Sequence, residues 1–248
     1  ADFDGDGRTD LSVYRSSNNI WYLQRSTAGF TAVSWGLGSD IPAPADYDGD
    51  GKTDIAVFRG NNTPGQSDFF VLRSSTNTLL SVEWGLSGDK VMPGDYDGDG
   101  KADFALYRPS DQFWYILKGS DFTILSMTKF GQPGDIPVAG DFDGDGKSDL
   151  TVFRNGTWIT RRSSDGNVVL VNWGLSTDLP VPADYDNDNK DDIAVFRPSN
   201  GFWYILRSSN GQGQFVQFGA SGDIPVPGDY DGDGADDIAV YRGGTWYV

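Results

Sequence analysis

The sequence contains no cysteine and no histidine, a single glutamate (Glu83) and two methionines among its 248 residues. Those absences remove thiol nucleophiles, the usual zinc and iron ligand sets, Ser-His-Asp triads and any imidazole able to move protons near neutral pH. Stability cannot rest on disulfides, and the lack of cysteine is neutral as to redox compartment. Basic side chains are scarce: 19 Lys and Arg stand against 36 acids, for a formal charge of −17. A phosphate-binding face needs clustered cations, so nucleic acid is not expected as a partner, and anionic membrane surfaces would be repelled. No run of about 18 apolar residues is present, so no membrane insertion is expected. The first residues, ADFDGDGRTD, carry neither the basic nor the apolar region of a secretory leader and read as the start of a soluble mature segment.

What is present is enough for a folded core: 38% of residues are apolar and 14% aromatic. They are organised by repetition. An acidic nonapeptide occurs six times, as DFDGDGRTD, DYDGDGKTD, DYDGDGKAD, DFDGDGKSD, DYDNDNKDD and DYDGDGADD, at intervals of 44, 49, 46, 43 and 45 residues. That period fits one four-stranded propeller blade. Each nonapeptide runs into a β-branched and aromatic segment such as IAVFR, which reads as a strand. A second strand follows (IWYLQR from Ile20, FWYILK from Phe113), then a third that ends at WG or FG, and then a short Pro-containing strand such as DIPVPGD. Proline removes a ladder donor, so this last strand belongs at a sheet edge. No helical period appears. The expected fold is all-β, a single β-propeller domain over residues 1–248 with repeats starting near 1, 40, 89, 135, 178 and 223. By this count the first blade lacks its innermost strand and the sixth its outermost. Open strand edges invite pairing with another chain, so self-association by strand exchange into a homo-oligomer or filament stands as a minority expectation.

In D-x-D-x-D-G-x-x-D the side chains at positions 1, 3, 5 and 9 are expected to converge on one point, with the position-7 backbone carbonyl facing the same way. Position 1 is Asp2, Asp46, Asp95, Asp141, Asp184 or Asp229, and position 3 is Asp4, Asp48, Asp97, Asp143, Asp186 or Asp231. Position 5 is Asp6, Asp50, Asp99, Asp145, Asp188 or Asp233, and position 9 is Asp10, Asp54, Asp103, Asp149, Asp192 or Asp237. The position-7 carbonyls belong to Arg8, Lys52, Lys101, Lys147, Lys190 and Ala235. Hard oxygen donors in this number suit Ca²⁺ better than Mg²⁺, which demands octahedral geometry. Up to six Ca²⁺ ions are expected, and six would bring the formal charge from −17 to −5. Asp-Gly runs are also ordinary turns, but turns alone do not call for four like charges within nine residues. An EF-hand would need a bidentate Glu at position 12, where this chain has Val13, Val57, Leu106, Val152, Val195 and Val240. In the fifth copy Asn189 replaces the position-6 glycine, a substitution compatible with a left-handed backbone.

These motifs, WG or FG, a short strand, then D-x-D-G-D-G-x-x-D followed by a hydrophobic residue and A-V, resemble the FG-GAP and VCBS-type repeats of integrin alpha subunits and many secreted bacterial proteins. The resemblance spans essentially the whole chain. It implies propeller blades with structural calcium in the hairpin between the first and second strands, and service in adhesion, surface display or ligand binding. The GDIPVPGDYD wording and the Arg-terminated second strand depart from integrins, so integrin partners do not transfer.

An Arg recurs 13 residues after each first Asp (Arg15, Arg59, Arg108, Arg154, Arg197, Arg242), and an Asp six residues before it in five repeats (Asp40, Asp89, Asp135, Asp178, Asp223). A ring of blade-to-blade ion pairs or carbonyl contacts is the expected role, with an anion or acidic-glycan site as the alternative. Most aromatics occupy repeat positions consistent with inter-blade packing. The insertion GNNTPGQSD, residues 60–68, should protrude, and N-x-S/T triplets fall at Asn61 and Asn155. No acid is unrepeated and strategically placed, so no enzyme is expected. The expected function is a secreted or cell-surface calcium-stabilised scaffold for adhesion, protein-protein interaction or self-assembly. The alternative is a carbohydrate-binding module, making the partner a protein or a glycan at the cell surface.

Overall fold

The computed structural model describes residues 1–248 and contains strands, turns and loops with no helix. The chain forms two compact units, Ala1–Pro133 and Gly134–Val248. Each holds three antiparallel sheets, and the division falls beside the fourth repeat start.

In the first unit, one sheet contains β1 (Leu11–Arg15), β2 (Ile20–Arg25) and β3 (Gly29–Ser34). The next contains β4 (Ile41–Pro42), β5 (Ile55–Phe58), β6 (Phe69–Leu72) and β7 (Leu79–Val82). The third contains β8 (Lys90–Val91), β9 (Phe104–Arg108), β10 (Phe113–Leu117) and β11 (Ile124–Lys129). In the second unit, β12 (Ile136–Val138) to β15 (Val168–Asn172) include β13 (Leu150–Arg154) and β14 (Thr157–Arg161). The fifth sheet is β16 (Leu179–Pro180), β17 (Ile193–Arg197), β18 (Phe202–Leu206) and β19 (Gly213–Gln217). The last is β20 (Ile224–Pro225), β21 (Val240–Arg242) and β22 (Thr245–Tyr247). Every sheet is an up-and-down meander in sequence order, and the three-stranded first and last sheets lie where the repeat count placed them. Prolines 42, 137, 180 and 225 all sit on edge strands, where a missing N–H leaves no gap in a ladder.

Burial follows strand position within the sheet. Central strand β5 is buried along its whole length, whereas the outer strand β19 alternates between half-buried and exposed. This gradient explains the sequences: IAVF offers apolar groups to both faces, and GQFVQ offers them to one. Trp114, Trp158 and Trp203 fill the middle of their blades. Each indole donates its Nε1–H to a backbone carbonyl at the end of the same blade's outer strand: Phe130, Trp173 and Phe218, at 3.2, 3.1 and 2.8 Å. Such an acceptor offsets the desolvation of the buried indole N–H. Two of the three WG turns stitch consecutive blades within a unit. Trp35 donates to the Phe70 carbonyl at 3.0 Å, and Trp173 to that of Tyr204 at 3.0 Å.

The recurrent Arg and Asp do pair, but within one blade. Arg59, Arg108, Arg154, Arg197 and Arg242 each grip Asp40, Asp89, Asp135, Asp178 and Asp223 through Nε and Nη2, at 2.5 to 2.8 Å. The expected blade-to-blade ring is therefore corrected. Antiparallel pairing of the Pro strand with the following strand, as in Ile41 with Phe58, sets Asp and Arg side by side at the same sheet end. The guanidinium also stacks on an aromatic of the next strand: Arg15 over Tyr22, Arg59 over Phe70, Arg108 over Tyr115, Arg197 over Tyr204 and Arg242 over Tyr247, at 4.0 to 5.1 Å. The inserted loop protrudes as expected, with residues 62–66 exposed, while Asp68 at its end is buried and accepts from the Asn61 backbone and side chain at 3.0 and 2.7 Å.

Candidate metal centre

Five nonapeptides lie between the innermost strand of a sheet and its neighbour and the first lies just before β1, and backbone bonds close the two ends of each. The position-9 N–H donates to the carbonyl just before position 1, as from Asp54 to Ala45 at 2.8 Å and from Asp149 to Gly140 at 2.7 Å. The position-1 carboxylate organises the turn that follows. Asp46 accepts from Gly49 and Gly51 at 2.7 and 2.9 Å, and Asp141 from Gly144 and Gly146 at 2.6 and 2.8 Å. The glycines are required because both positions have φ near +80°, a region costly for residues with a Cβ. Asn187 and Asn189 take φ of 57° and 64° in the fifth loop, as their tolerance of this region predicts.

Position 5 accepts from the position-7 N–H, so Asp6, Asp50, Asp99, Asp145, Asp188 and Asp233 hold Arg8, Lys52, Lys101, Lys147, Lys190 and Ala235 at 2.9 to 3.0 Å. Position 9 is an anchor. Asp10, Asp54, Asp103, Asp149 and Asp192 are buried, and each accepts the position-2 N–H on one oxygen and an amide from the turn before the outermost strand of the blade on the other. Asp237 accepts from Tyr230 at 3.0 Å. Burial pushes the carboxyls of Asp103 and Asp149 up to about 6, and those of Asp54 and Asp192 in the same direction.

Carboxylate oxygens of positions 1 and 3, with position 5 or 9, gather within 4.8 Å of one another. The sets include Asp2, Asp4 and Asp6; Asp46, Asp48 and Asp50; Asp95, Asp97 and Asp99; Asp141, Asp143 and Asp149; and Asp184, Asp186 and Asp192. Position 3 supplies the sharpest feature. Asp4, Asp48, Asp143 and Asp186 each keep one oxygen, Oδ1, buried with no hydrogen-bond partner. A buried unpaired carboxylate oxygen carries a desolvation penalty that a coordinated cation would remove. The donor set, oxygen only and rich in carboxylates, fits Ca²⁺.

Two parts of the arrangement were not read from the sequence. Hydroxyls from the turn after the third strand reach the loop carboxylates: Ser74 to Asp50 and Ser75 to Asp48 at 2.9 and 2.5 Å, and Ser163 to Asp145 and Ser164 to Asp143 at 2.8 and 2.5 Å. The recurrence of R-S-S or R-S-T at that place in four repeats was the available signal. Consecutive loops are also linked within each unit. The position-8 N–H of one loop donates to the position-1 carbonyl of the loop before it, from Thr53 to Asp2, Ala102 to Asp46, Asp191 to Asp141 and Asp236 to Asp184, at 2.6 to 2.7 Å. Asp191 and Asp236 return the contact by accepting from the N–H of Asp141 and Asp184 at 2.7 and 3.0 Å. Burial raises both carboxyls, Asp191 to about 7.

No curated protein matches the sequence. Among solved structures, a lectin of Agrocybe aegerita described as recognising non-reducing terminal N-acetylglucosamine superposes with a TM-score of 0.62 at 16% identity, over 97% of this chain and 76% of that one. An auxiliary nutrient binding protein from Bacteroides ovatus gives 0.60 at 10% identity, over 98% and 68%. BBS1N, solved in complex with ARL6DN, gives 0.57 at 13%, over 95% and 70%. At such identities the likeness concerns the fold. The FG-GAP-like repeat family matches over residues 2–57, 95–152 and 184–240, more than half of the sequence. With six blade sheets and an aspartate loop in every repeat, the chain belongs to the FG-GAP-like repeat family of β-propellers.

Proposed function

We propose that this chain is a calcium-stabilised propeller scaffold, secreted or displayed at a cell surface, which presents its blades to a protein or glycan partner and carries out no catalysis itself. The observation that carries the reading is the unpartnered, buried Oδ1 repeated at Asp4, Asp48, Asp143 and Asp186. Four loops share the same unmet electrostatic demand in the same place, which supports one cation per loop. The aspartates of positions 1, 3, 5 and 9 would hold Ca²⁺, and the ion would supply charge neutralisation. The chain's own part is to fix the carboxylates through backbone amides and serine hydroxyls. Sites of this extracellular type bind at about 10⁻⁴–10⁻³ M, which supports placement outside the cytosol.

A ligand present at 100 times its dissociation constant stabilises the folded state by about 2.7 kcal/mol per site. Since total stability is usually about 5–15 kcal/mol, several sites would decide whether the domain folds. Thermal melting followed by near-UV circular dichroism in millimolar calcium and then in excess EGTA tests this. A fall in Tm of more than about 10 °C is expected, and superimposable curves would reject the calcium reading.

One observation favours glycan over protein as the partner. Trp84, Gly85 and Leu86 of one blade and Arg108, Tyr115 and Met127 of the next line a cleft of about 250 Å³. Aromatic faces beside a fixed guanidinium suit a sugar ring, and the similarity to a lectin is compatible with it. A glycan array read with wild type and Tyr115→Ala separates the readings: sugar binding lost in the variant supports a lectin, and silence supports a protein-binding scaffold.

A further inference from the structure

The loops are not equivalent. In four blades the turn before the outermost strand presents two neutral hydroxyls to the loop: Ser26 and Thr27, Ser74 and Ser75, Ser163 and Ser164, Ser208 and Ser209. One meets position 5, at 2.6 Å for Ser26 with Asp6 and 2.8 Å for Ser208 with Asp188. In three of these blades the other meets Oδ2 of position 3, at 2.5 Å for Ser75 with Asp48 and Ser209 with Asp186. The basic residue just before each pair lies along its own hairpin: Arg25 donates to the Ala28 and Gly29 carbonyls, Arg73 to Thr78, Arg162 to Asp165 and Arg207 to Gln214.

The third blade breaks this pattern at two adjacent positions. Its turn reads Lys118-Gly119-Ser120, so no hydroxyl exists at the place from which Asp99 would receive one. Lys118 turns onto the loop instead, with Nζ 3.0 Å from Asp97 Oδ2, and the partners are 30% and 11% exposed. Asp97 Oδ1, the counterpart of the unpartnered oxygens, accepts from the Asp99 N–H at 3.3 Å. A full positive charge thus stands against the position-3 carboxylate, where three other blades place one neutral hydroxyl.

We propose that Lys118 acts as a built-in counter-cation which makes the loop Asp95–Asp103 the weakest calcium site of its unit, so that the blades load in a fixed order. The inference rests on the reading of the loops as calcium sites. Its physical basis is Coulombic. An ammonium held on a ligand carboxylate repels a second cation there, the more strongly where the pair is shielded from water. Calcium affinity in oxygen sites is tuned by ligand charge count, so the ammonium lowers affinity by about tenfold.

The test uses the full chain, loaded with calcium chloride and then depleted stepwise with a calcium buffer, so that early steps are read on folded protein. Amide NMR reports each loop separately, because Gly51 and Gly100 donate to the position-1 carboxylates Asp46 and Asp95 at 2.9 and 2.8 Å. The Gly100 signal is expected to shift at about tenfold higher free calcium than that of Gly51, and Lys118→Met should close the gap without moving Gly51. Native mass spectrometry gives a second readout, in which Lys118→Met retains one more ion than wild type at intermediate free calcium. Coincident Gly51 and Gly100 transitions in wild type, or an unchanged gap and ion count in Lys118→Met, would overturn the proposal and leave calcium binding intact. Absence of any calcium-dependent shift or bound ion would instead remove the reading of the loops on which it rests.

Discussion

Two departures of the nonapeptide from its consensus, Asn187 at position 4 of the fifth loop and Ala235 at position 7 of the sixth, are one adaptation. Elsewhere the position-7 lysine lies across the position-4 glycine of the preceding loop: a Cβ on Gly5 would come within 3.0 Å of Lys52, on Gly49 within 3.0 Å of Lys101, and on Gly144 within 2.7 Å of Lys190. Asn187 fills that space with its own side chain, donating to the Asp233 carbonyl at 3.2 Å and crowding Gly234. A lysine at 235 would compete for the same volume. Ala235→Lys is therefore expected to destabilise by about 1 kcal/mol through overpacking, and Asn187→Gly in the same chain to relieve the cost. Urea unfolding of the double-mutant cycle measures the coupling, and additive effects would show the two positions to be independent.

Among the elements, the innermost strands are the weakest parts of their sheets, two or three residues long, and four of the five carry a proline. Their attachment depends on the Asp-Arg clamp as well as on the ladder, since the aspartate precedes the Pro strand and the arginine ends its neighbour. In the last blade the Arg242 guanidinium holds the Asp223 carboxyl below the usual carboxylate range. A lowered pKa contributes stability that is present above the unfolded value of about 4 and is lost as pH falls through the folded one. Asp223→Asn should thus lower stability at pH 7 and flatten the loss of stability between about pH 5 and 3. Urea midpoints across that range check it, and identical pH slopes in the two proteins would contradict it. Half-exposure of Arg242 keeps the effect modest.

For the molecule as a whole, the formal charge of −17 is concentrated in loops, because 24 of the acids occupy positions 1, 3, 5 and 9 of the six nonapeptides. Within each unit consecutive loops are joined by hydrogen bonds, so their charges are held close together. Mutual repulsion then opposes folding whenever no divalent cation is bound. Screening shortens its range, with a Debye length of about 10 Å at 0.1 M salt and about 3 Å at 1 M. In EGTA, raising sodium chloride from about 20 mM to 500 mM should raise Tm by several degrees, while the calcium-loaded protein should respond little. Equal salt responses in the two states would show that the loop charges are not what limits stability.

The amino-acid sequence by itself determined the strands, their order and the position of the aspartate loops. Those features depend on local chemistry: alternation in segments such as IAVFR, proline at ladder edges, and glycine or asparagine where φ is positive. Local rules repeated six times average out their exceptions. The partners that meet across turns and between blades were decided only by the tertiary structure. The spacing of Asp40 and Arg59 announced a pair but not that both belong to one sheet, since an ion pair between neighbouring blades would have left the same periodic trace. Ser75 and Asp48, or Lys118 and Asp97, are likewise joined by the depth at which a later turn of the same blade folds back over its loop. That distance is fixed by sheet packing, and no residue pattern along the chain encodes it on its own.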